Sequence, residues 1–294
     1  MAMRAQCRAF AVVSVVLAVF TASSSSTSFT IINNCANTIW PGAITGDGKA
    51  GLDSTGFELA PGQSRTVSAP SGWSGRFWGR TFCYAADSGK FTCVTGDCGT
   101  GRVDCTGGGG VPPATWAEFT LNGNGGMDFY DVSLVDGFNL PMLVTPQGAT
   151  TTAGGNCVPT GCEADLNAGA CPADLRVSAP GGGVVACKSA CEAFRSDQYC
   201  CKGMYEDPNT CFPSNYSQVF KSACPKAYSY AYDDKMSTFT CPGTATTYNI
   251  TFCPGATSGR EDGSKQQTGA AAARPPLRLV LLFVAILALA RDFF

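Results

Sequence analysis

Short runs in which apolar and polar residues alternate recur along the chain, punctuated by Gly, Pro, Asn and Asp. S28-F-T-I-I-N-N-C35 has its apolar positions at period two, which predicts a half-buried strand; T38-I-W-P and Q63-S-R-T-V-S predict two more. In S74-G-R-F-W-G-R-T-F-C83, alternation puts Arg76, Trp78 and Arg80 on one face. That stripe reads either as a solvated sheet face with snorkelling arginines or as a platform for a sugar or a carboxylate. W116-A-E-F-T-L121 and D128-F-Y-D-V-S-L-V-D136 flank N122-G-N-G-G126, a hairpin signal. A symmetric hairpin centred between Asn124 and Gly125 sets Glu118 opposite Asp131. Directly opposed residues hold their Cβ atoms about 4.5–5.5 Å apart, so the two acids share one patch and repel unless a cation such as Arg76 compensates. A slip of one residue would separate them. Asp136-Gly137 on its own reads as a turn. Strand-like runs around Phe239 and from Tyr248 to Phe252 complete a set of many short strands with close turns, the pattern of a mainly β protein built as a sandwich.

Between Cys157 and Cys224 the pattern changes: apolar runs shorten, cysteines crowd, and A179-P-G-G-G183 intervenes. Cys187 and Cys191, four apart, predict one face of a helical turn. S214-N-Y-S-Q-V-F-K-S-A-C224 predicts a helix capped by Ser214, with Tyr216, Val219, Phe220 and Ala223 on its buried side. The expected organisation is a leader over residues 1–26, a main domain over 27–254, a linker over 255–269 and a C-terminal segment over 270–294. Within the main domain, 27–82, 116–156 and 225–254 form the sandwich, 83–115 a loop subdomain and 157–224 a disulfide-rich subdomain.

Cysteine usage sets the compartment. Of 17 cysteines, Cys7 lies in M1-A-M-R-A-Q-C-R-A-F-A-V-V-S-V-V-L-A-V-F20, which has the charged start and apolar body of a secretory signal peptide. An even sixteen remain, which points to a fully oxidised extracellular protein with eight bridges. CxxC pairs and histidine are both absent, so neither a metal site nor a cofactor is expected, and Ser-His-Asp and Cys-His chemistry is excluded. Carboxylates remain as the general acids and bases. From Phe29 to Cys253, 13 Lys and Arg stand against 19 Asp and Glu, a net charge of −6 that disfavours nucleic acid and anionic membrane surfaces as partners. A monomer is expected.

N215-Y-S and N249-I-T are glycosylation acceptors, Asn215 and Asn249, with Asn249 in an expected strand. Beyond Cys253 a polar, flexible stretch leads to L277-R-L-V-L-L-F-V-A-I-L-A-L-A290. Its uninterrupted apolar part, Leu279 to Ala290, would be about 18 Å long as a helix, against roughly 30 Å of hydrocarbon. With small residues at Gly269, Ala270 and Ala271, this tail reads as a GPI-attachment signal with lipidation at Gly269. Arg278 and the closing R291-D-F-F leave a short transmembrane segment or a processed vacuolar-type tail as alternatives.

G89-K-F-T-C-V-T-G-D-C-G-T-G-R-V-D-C105 packs three cysteines, four glycines and two acids into a stretch with almost no core-forming residues, so cross-links must hold it. Its spacing resembles the signature of the thaumatin-like proteins, the pathogenesis-related plant defence family. The resemblance extends over about Phe29 to Pro254, through F29-T-I-I-N-N-C35, A117-E-F-T-L, F129-Y-D-V-S-L-V-D-G-F-N139, Y199-C-C201, C224-P-K-A-Y-S-Y and S237-T-F-T-C241. It implies the pairs Cys35–Cys253, Cys83–Cys93, Cys98–Cys105, Cys157–Cys241, Cys162–Cys224, Cys171–Cys187, Cys191–Cys200 and Cys201–Cys211. It also implies a thaumatin-like β-sandwich with two disulfide-rich loop subdomains and a few short helices, and a cleft between the sandwich and the Cys157 to Cys224 subdomain. The family's acidic cleft carries over to Arg76, Glu118, Asp131, Asp136 and one of Asp233 or Asp234, with Arg80 as the alternative to Arg76. The C-terminal tail departs from the many members that end soon after the last cysteine.

Three functions fit this sequence. The first is an antifungal defence protein at the cell surface, held there by the GPI anchor and binding β-1,3-glucan in the acidic cleft. The second is a weak endo-β-1,3-glucanase with Glu118 as acid and an Asp, Asp131 foremost, as nucleophile or base. The third is a protein-interaction module, such as an inhibitor of a foreign hydrolase.

Overall fold

The computed structural model describes residues 26–148, 156–243 and 246–255. Residues 1–25 of the expected leader and everything from residue 256 onward, Gly269 and the apolar tail included, lie outside these residues. Thirteen strands are described: β1 (Thr27–Asn33), β2 (Trp40–Thr45), β3 (Ser64–Ala69), β4 (Ser74–Ala85), β5 (Phe91–Thr95), β6 (Trp116–Thr120), β7 (Met127–Ser133), β8 (Met142–Gln147), β9 (Thr160–Cys162), β10 (Arg176–Ser178), β11 (Val184–Cys187), β12 (Phe239–Pro242) and β13 (Thr247–Phe252). The α-helices are short: α1 (Ala190–Phe194), α2 (Asp197–Cys200), α3 (Asn215–Ala223) and α4 (Asp234–Ser237).

Two sheets form the body. One runs in the order β3-β1-β13-β8-β9, the other in the order β12-β7-β6-β4-β2 with β5 paired to the far end of β4. Only the β1–β13 pairing is parallel among the described ladders of these sheets. In β1 the period-two pattern is realised residue by residue, with Phe29, Ile31 and Asn33 buried and the residues between them half-exposed. Phe29 is the centre of the core: its ring lies 4.7 Å from Phe119, 4.9 Å from Phe77 and 5.7 Å from Tyr248, so it joins the inner faces of both sheets. Full burial of one such ring is worth on the order of 2–3 kcal/mol. The helix expected after Ser214 is α3, whose first turn is capped by the Ser214 hydroxyl accepting from Ser217 N and whose Phe220 is buried. All eight implied disulfide pairs are present.

The outer face of β4 and β6 is divided in two. At one end, Trp78 and Trp116 are buried beneath the stretch that carries Cys98, Cys105 and Ala114. Trp78 donates its indole N–H to Gly96 O at 2.8 Å. Gly110 passes so close that a Cβ there would lie 2.6 Å from Trp78 Nε1, which restricts the position to glycine. The same lid corrects one expectation. Arg80 is no snorkelling surface residue; it is buried, and its guanidinium donates to the carbonyls of Trp40 (2.9 Å), Pro41 (3.3 Å) and Val103 (2.5 Å). Alternation gave its face correctly, but a cross-linked loop covers that face. Cys187 and Cys191 also differ from expectation. Cys187 ends β11 paired with Arg176, Ser189 caps α1, and Cys191 lies inside that helix, so the two share no helical turn.

Candidate functional site

At the other end of the same face no loop intervenes, and polar residues line up across three strands. Arg76 of β4 pairs with Glu118 of β6, and Glu118 pairs with Asp131 of β7. This is the register that hairpin symmetry requires. Ser74 and Thr120, each two residues away on its own strand, extend the row with a hydroxyl contact of 3.2 Å. Phe129 and Phe119 complete the lining of the resulting surface trough.

Arg76 answers the like-charge problem. Its Nη1 lies 3.6 Å from Glu118 Oε1 and 3.9 Å from Asp136 Oδ2, with side chains 41% and about 40% exposed, so these are open ion pairs with water access. The guanidinium carbon lies 4.8 Å from the Trp116 ring, which fixes its height above the sheet. Asp136 occupies the turn that follows β7, where Gly137 N donates to Leu134 O at 2.9 Å. It is therefore both the turn residue and the third acid of the row, after Glu118 and Asp131.

The C-terminal acidic pair divides its duties. Asp233 is committed elsewhere: its Oδ2 accepts from Ser229 N (3.0 Å) and Ser229 Oγ (2.9 Å) and pairs with Lys221 Nζ at 2.7 Å. Lys221 also donates to Ala227 O and Ser237 Oγ, which ties α3 to the segment before α4 and to the end of α4. Asp234 instead accepts from Tyr228 Oη at 2.8 Å, and its charge acts on Asp131. The structure brings Arg76, Glu118, Asp131, Asp136 and Asp234 together and turns Asp233 away from them.

Electrostatics separates the two central acids. Burial, then the negative charges of Glu118 and Asp234, push the Asp131 carboxyl well above the usual carboxylate range. Its Oδ2 is buried with no partner among the described residues. Glu118 is also raised by burial, but Arg76 pulls it back down while Asp136 pushes it up. Asp131 is thus the better holder of a proton and Glu118 the better holder of a charge. Tyr228 is a member of the site that the sequence pattern did not single out. The clue available was its place in C224-P-K-A-Y-S-Y; its bond to Asp234 and its raised hydroxyl pKa, due first to burial, come from the fold.

The two glycosylation acceptors lie away from this row. Asn215 is exposed at the first turn of α3. Asn249 is half-buried on β13, between the buried Tyr248 and Ile250 and so on the outward face of the other sheet.

A family model described as the Thaumatin family matches residues 33–254. Thaumatin-like protein 1a of Malus domestica is 57% identical over 235 residues, covering 80% of this chain and 93% of its own length. Pathogenesis-related protein 5 of Arabidopsis thaliana is 57% identical over 229 residues, covering 78% of this chain and 91% of its own length. A Prunus avium protein named glucan endo-1,3-beta-glucosidase is 55% identical over 222 residues, covering 76% of this chain and 88% of its own length.

Proposed function

The chain belongs to the thaumatin family, and from that premise we infer that it is an extracellular defence-type protein that binds β-1,3-glucan in the trough of Arg76, Glu118, Asp131, Asp136 and Asp234. The observation that carries this reading is the row itself. Arg76, Glu118 and Asp136 are open to water, with Asp131 beside Glu118 on the same rigid sheet, and sugar hydroxyls can both donate to the acids and accept from Arg76. The name of the Prunus avium relative supports the same substrate class. Secretion rests on the leader pattern and on the disulfide density. Surface tethering through Gly269 is part of the proposal, and release by phosphatidylinositol-specific phospholipase tests it.

A hydrolytic reading has its own support. Glu118 and Asp131 are directly opposed in the ladder, a placement that suits the roughly 5–5.5 Å carboxyl spacing of retaining glycosidases. On this reading the environments favour the opposite roles from the sequence expectation: Asp131, the proton holder, would be the acid, and Glu118, beside Arg76, the nucleophile.

Pull-down on insoluble β-1,3-glucan and reducing-sugar release from laminarin separate the two. Arg76→Ala is expected to weaken binding about tenfold, the loss of roughly 1.4 kcal/mol. If Glu118→Gln and Asp131→Asn leave both retention on glucan and sugar release unchanged, the trough is not the glucan site. If they spare retention but abolish sugar release, hydrolysis is the activity.

A further inference from the structure

A second concavity opens between the end of β4, the start of β2, the chain entering β8, and β11. Its volume is about 450 Å3, within the roughly 300–1,000 Å3 usual for small-molecule sites. Trp40, Phe82 and Leu140 supply apolar wall, three asparagines and two threonines, Thr81 and Asn167 among them, supply polar groups, and Asp165 is the one charged residue of the lining. The acids of the trough take no part in it. Phe82 is six residues along β4 from Arg76, roughly 20 Å at the rise of a strand.

Two independent features single this cavity out. Phe82 has a φ of +52°, a conformation that side-chain-bearing residues rarely adopt, yet its ring is 51% exposed at the cavity rim. The β4–β5 ladder joins Thr81 to Thr95 and Cys83 to Cys93 and passes over Phe82, so the backbone is held there from both sides. Core packing returns nothing for that strain, and strain kept without packing gain is a mark of function. The second feature is Asn167. Its Nδ2 donates to Asn139 O at 3.0 Å, while its buried Oδ1 has no partner among the described residues. Asn139 cannot satisfy it, because its own amide is committed to Gly79 O, Thr95 Oγ1 and Thr115 N.

We propose that this cavity binds an uncharged amphipathic small molecule, with a ring-sized apolar body against Trp40, Phe82 and Leu140 and one hydroxyl or N–H donating to Asn167 Oδ1. The lining holds no cation among the described residues, which disfavours an organic anion. Its wall, more apolar than polar, disfavours a sugar chain, which carries a hydroxyl on nearly every carbon and would bury several of them against apolar side chains.

The test uses the full secreted, disulfide-bonded protein and the fluorescent probe N-phenyl-1-naphthylamine, which is uncharged, has two ring systems and carries one N–H. Saturable one-to-one binding is expected, unchanged by Glu118→Gln and weaker for the N-methylated probe. Val184→Trp, which fills the rim, should abolish it. Phe82→Gly adopts φ near +52° freely, so it should keep or raise the melting temperature while weakening the probe about tenfold, as expected for loss of an aromatic contact. The proposal is overturned by the absence of saturable binding, by affinity unchanged in both variants, by equal affinity of the two probes, or by competition from laminarihexaose. A lower melting temperature of Phe82→Gly with probe affinity intact would likewise show that the ring is structural.

Discussion

Arg80 and Asp131 project from the same face of one sheet and meet opposite fates. Arg80 is roofed over, and burial pushes its guanidinium down to about 10. It stays because it donates to the carbonyls of Trp40, Pro41 and Val103, and of these Pro41 O also accepts from Phe57 N at 3.3 Å. Arg80→Met should therefore destabilise the protein by about 3 kcal/mol or more, since each buried acceptor left unpaired costs about 1–3 kcal/mol. Arg80→Lys, a point donor that cannot span the fork, should fall between. Denaturant midpoints under oxidising conditions measure both, and a neutral Arg80→Met would mean the roof stands without its pillar. Asp131 stays half-open and costs stability in another way. Its folded pKa is raised by burial and then by Glu118 and Asp234, so the folded protein holds this proton more tightly than the unfolded chain does. The stability it contributes is complete below the unfolded value of about 4 and is lost as pH rises through the folded value. Asp131→Asn keeps the shape and removes the charge. It should raise the melting temperature at pH 7 by an amount that shrinks towards zero near pH 3, and a difference independent of pH would contradict the raised carboxyl.

The hairpin of β6 and β7 keeps its register because its turn is anchored from outside. Asp128 faces inward and accepts from Asn122 N at 2.8 Å and from Tyr248 Oη at 2.9 Å, joining the turn to β13 of the opposite sheet. Burial pushes the Asp128 carboxyl up, and the two donors hold it down. Asp128→Ala and Tyr248→Phe should each cost about 1–3 kcal/mol. Combined, they should cost less than their sum by about 1 kcal/mol, because the second change removes a partner already lost. Strict additivity in that cycle would mean the two side chains do not support each other. The elements also show how far the sequence reaches. Alternation locates β1, β6 and β7 and even the Glu118–Asp131 register, because burial on one face makes period two unambiguous. β8 escapes it: Pro146 interrupts the pattern opposite Tyr248, although the strand lies between β13 and β9. The burial of Arg80 escapes it too, because period two names a face and cannot say what covers it. The choice between Asp233 and Asp234 was not legible either, since it depends on Lys221, which reaches across from α3.

Across the whole molecule, the cross-links and the trough occupy different places, so stability and binding can be separated by experiment. Cys35–Cys253 joins the ends of the parallel pair β1 and β13 across 218 residues of sequence, in the sheet that carries none of the trough residues. Cys83–Cys93, Cys98–Cys105 and Cys157–Cys241 lie inside that loop and short-cut it, but most of its length outside them remains closed by this bridge alone. Cys191–Cys200 closes only 9 residues. On loop-closure entropy, removing the first bridge should cost roughly 4–5 kcal/mol and removing the second roughly 2–3 kcal/mol. Paired Cys→Ala variants therefore should differ clearly in denaturant midpoint, with the Cys35/Cys253 pair the weaker. Both should still be retained on β-1,3-glucan at a temperature where they remain folded, because neither bridge touches Arg76, Glu118 or Asp131. If the Cys35/Cys253 variant folds yet loses glucan, the geometry of the trough depends on the far sheet, and the rigid row of β4, β6 and β7 is not by itself the binding surface.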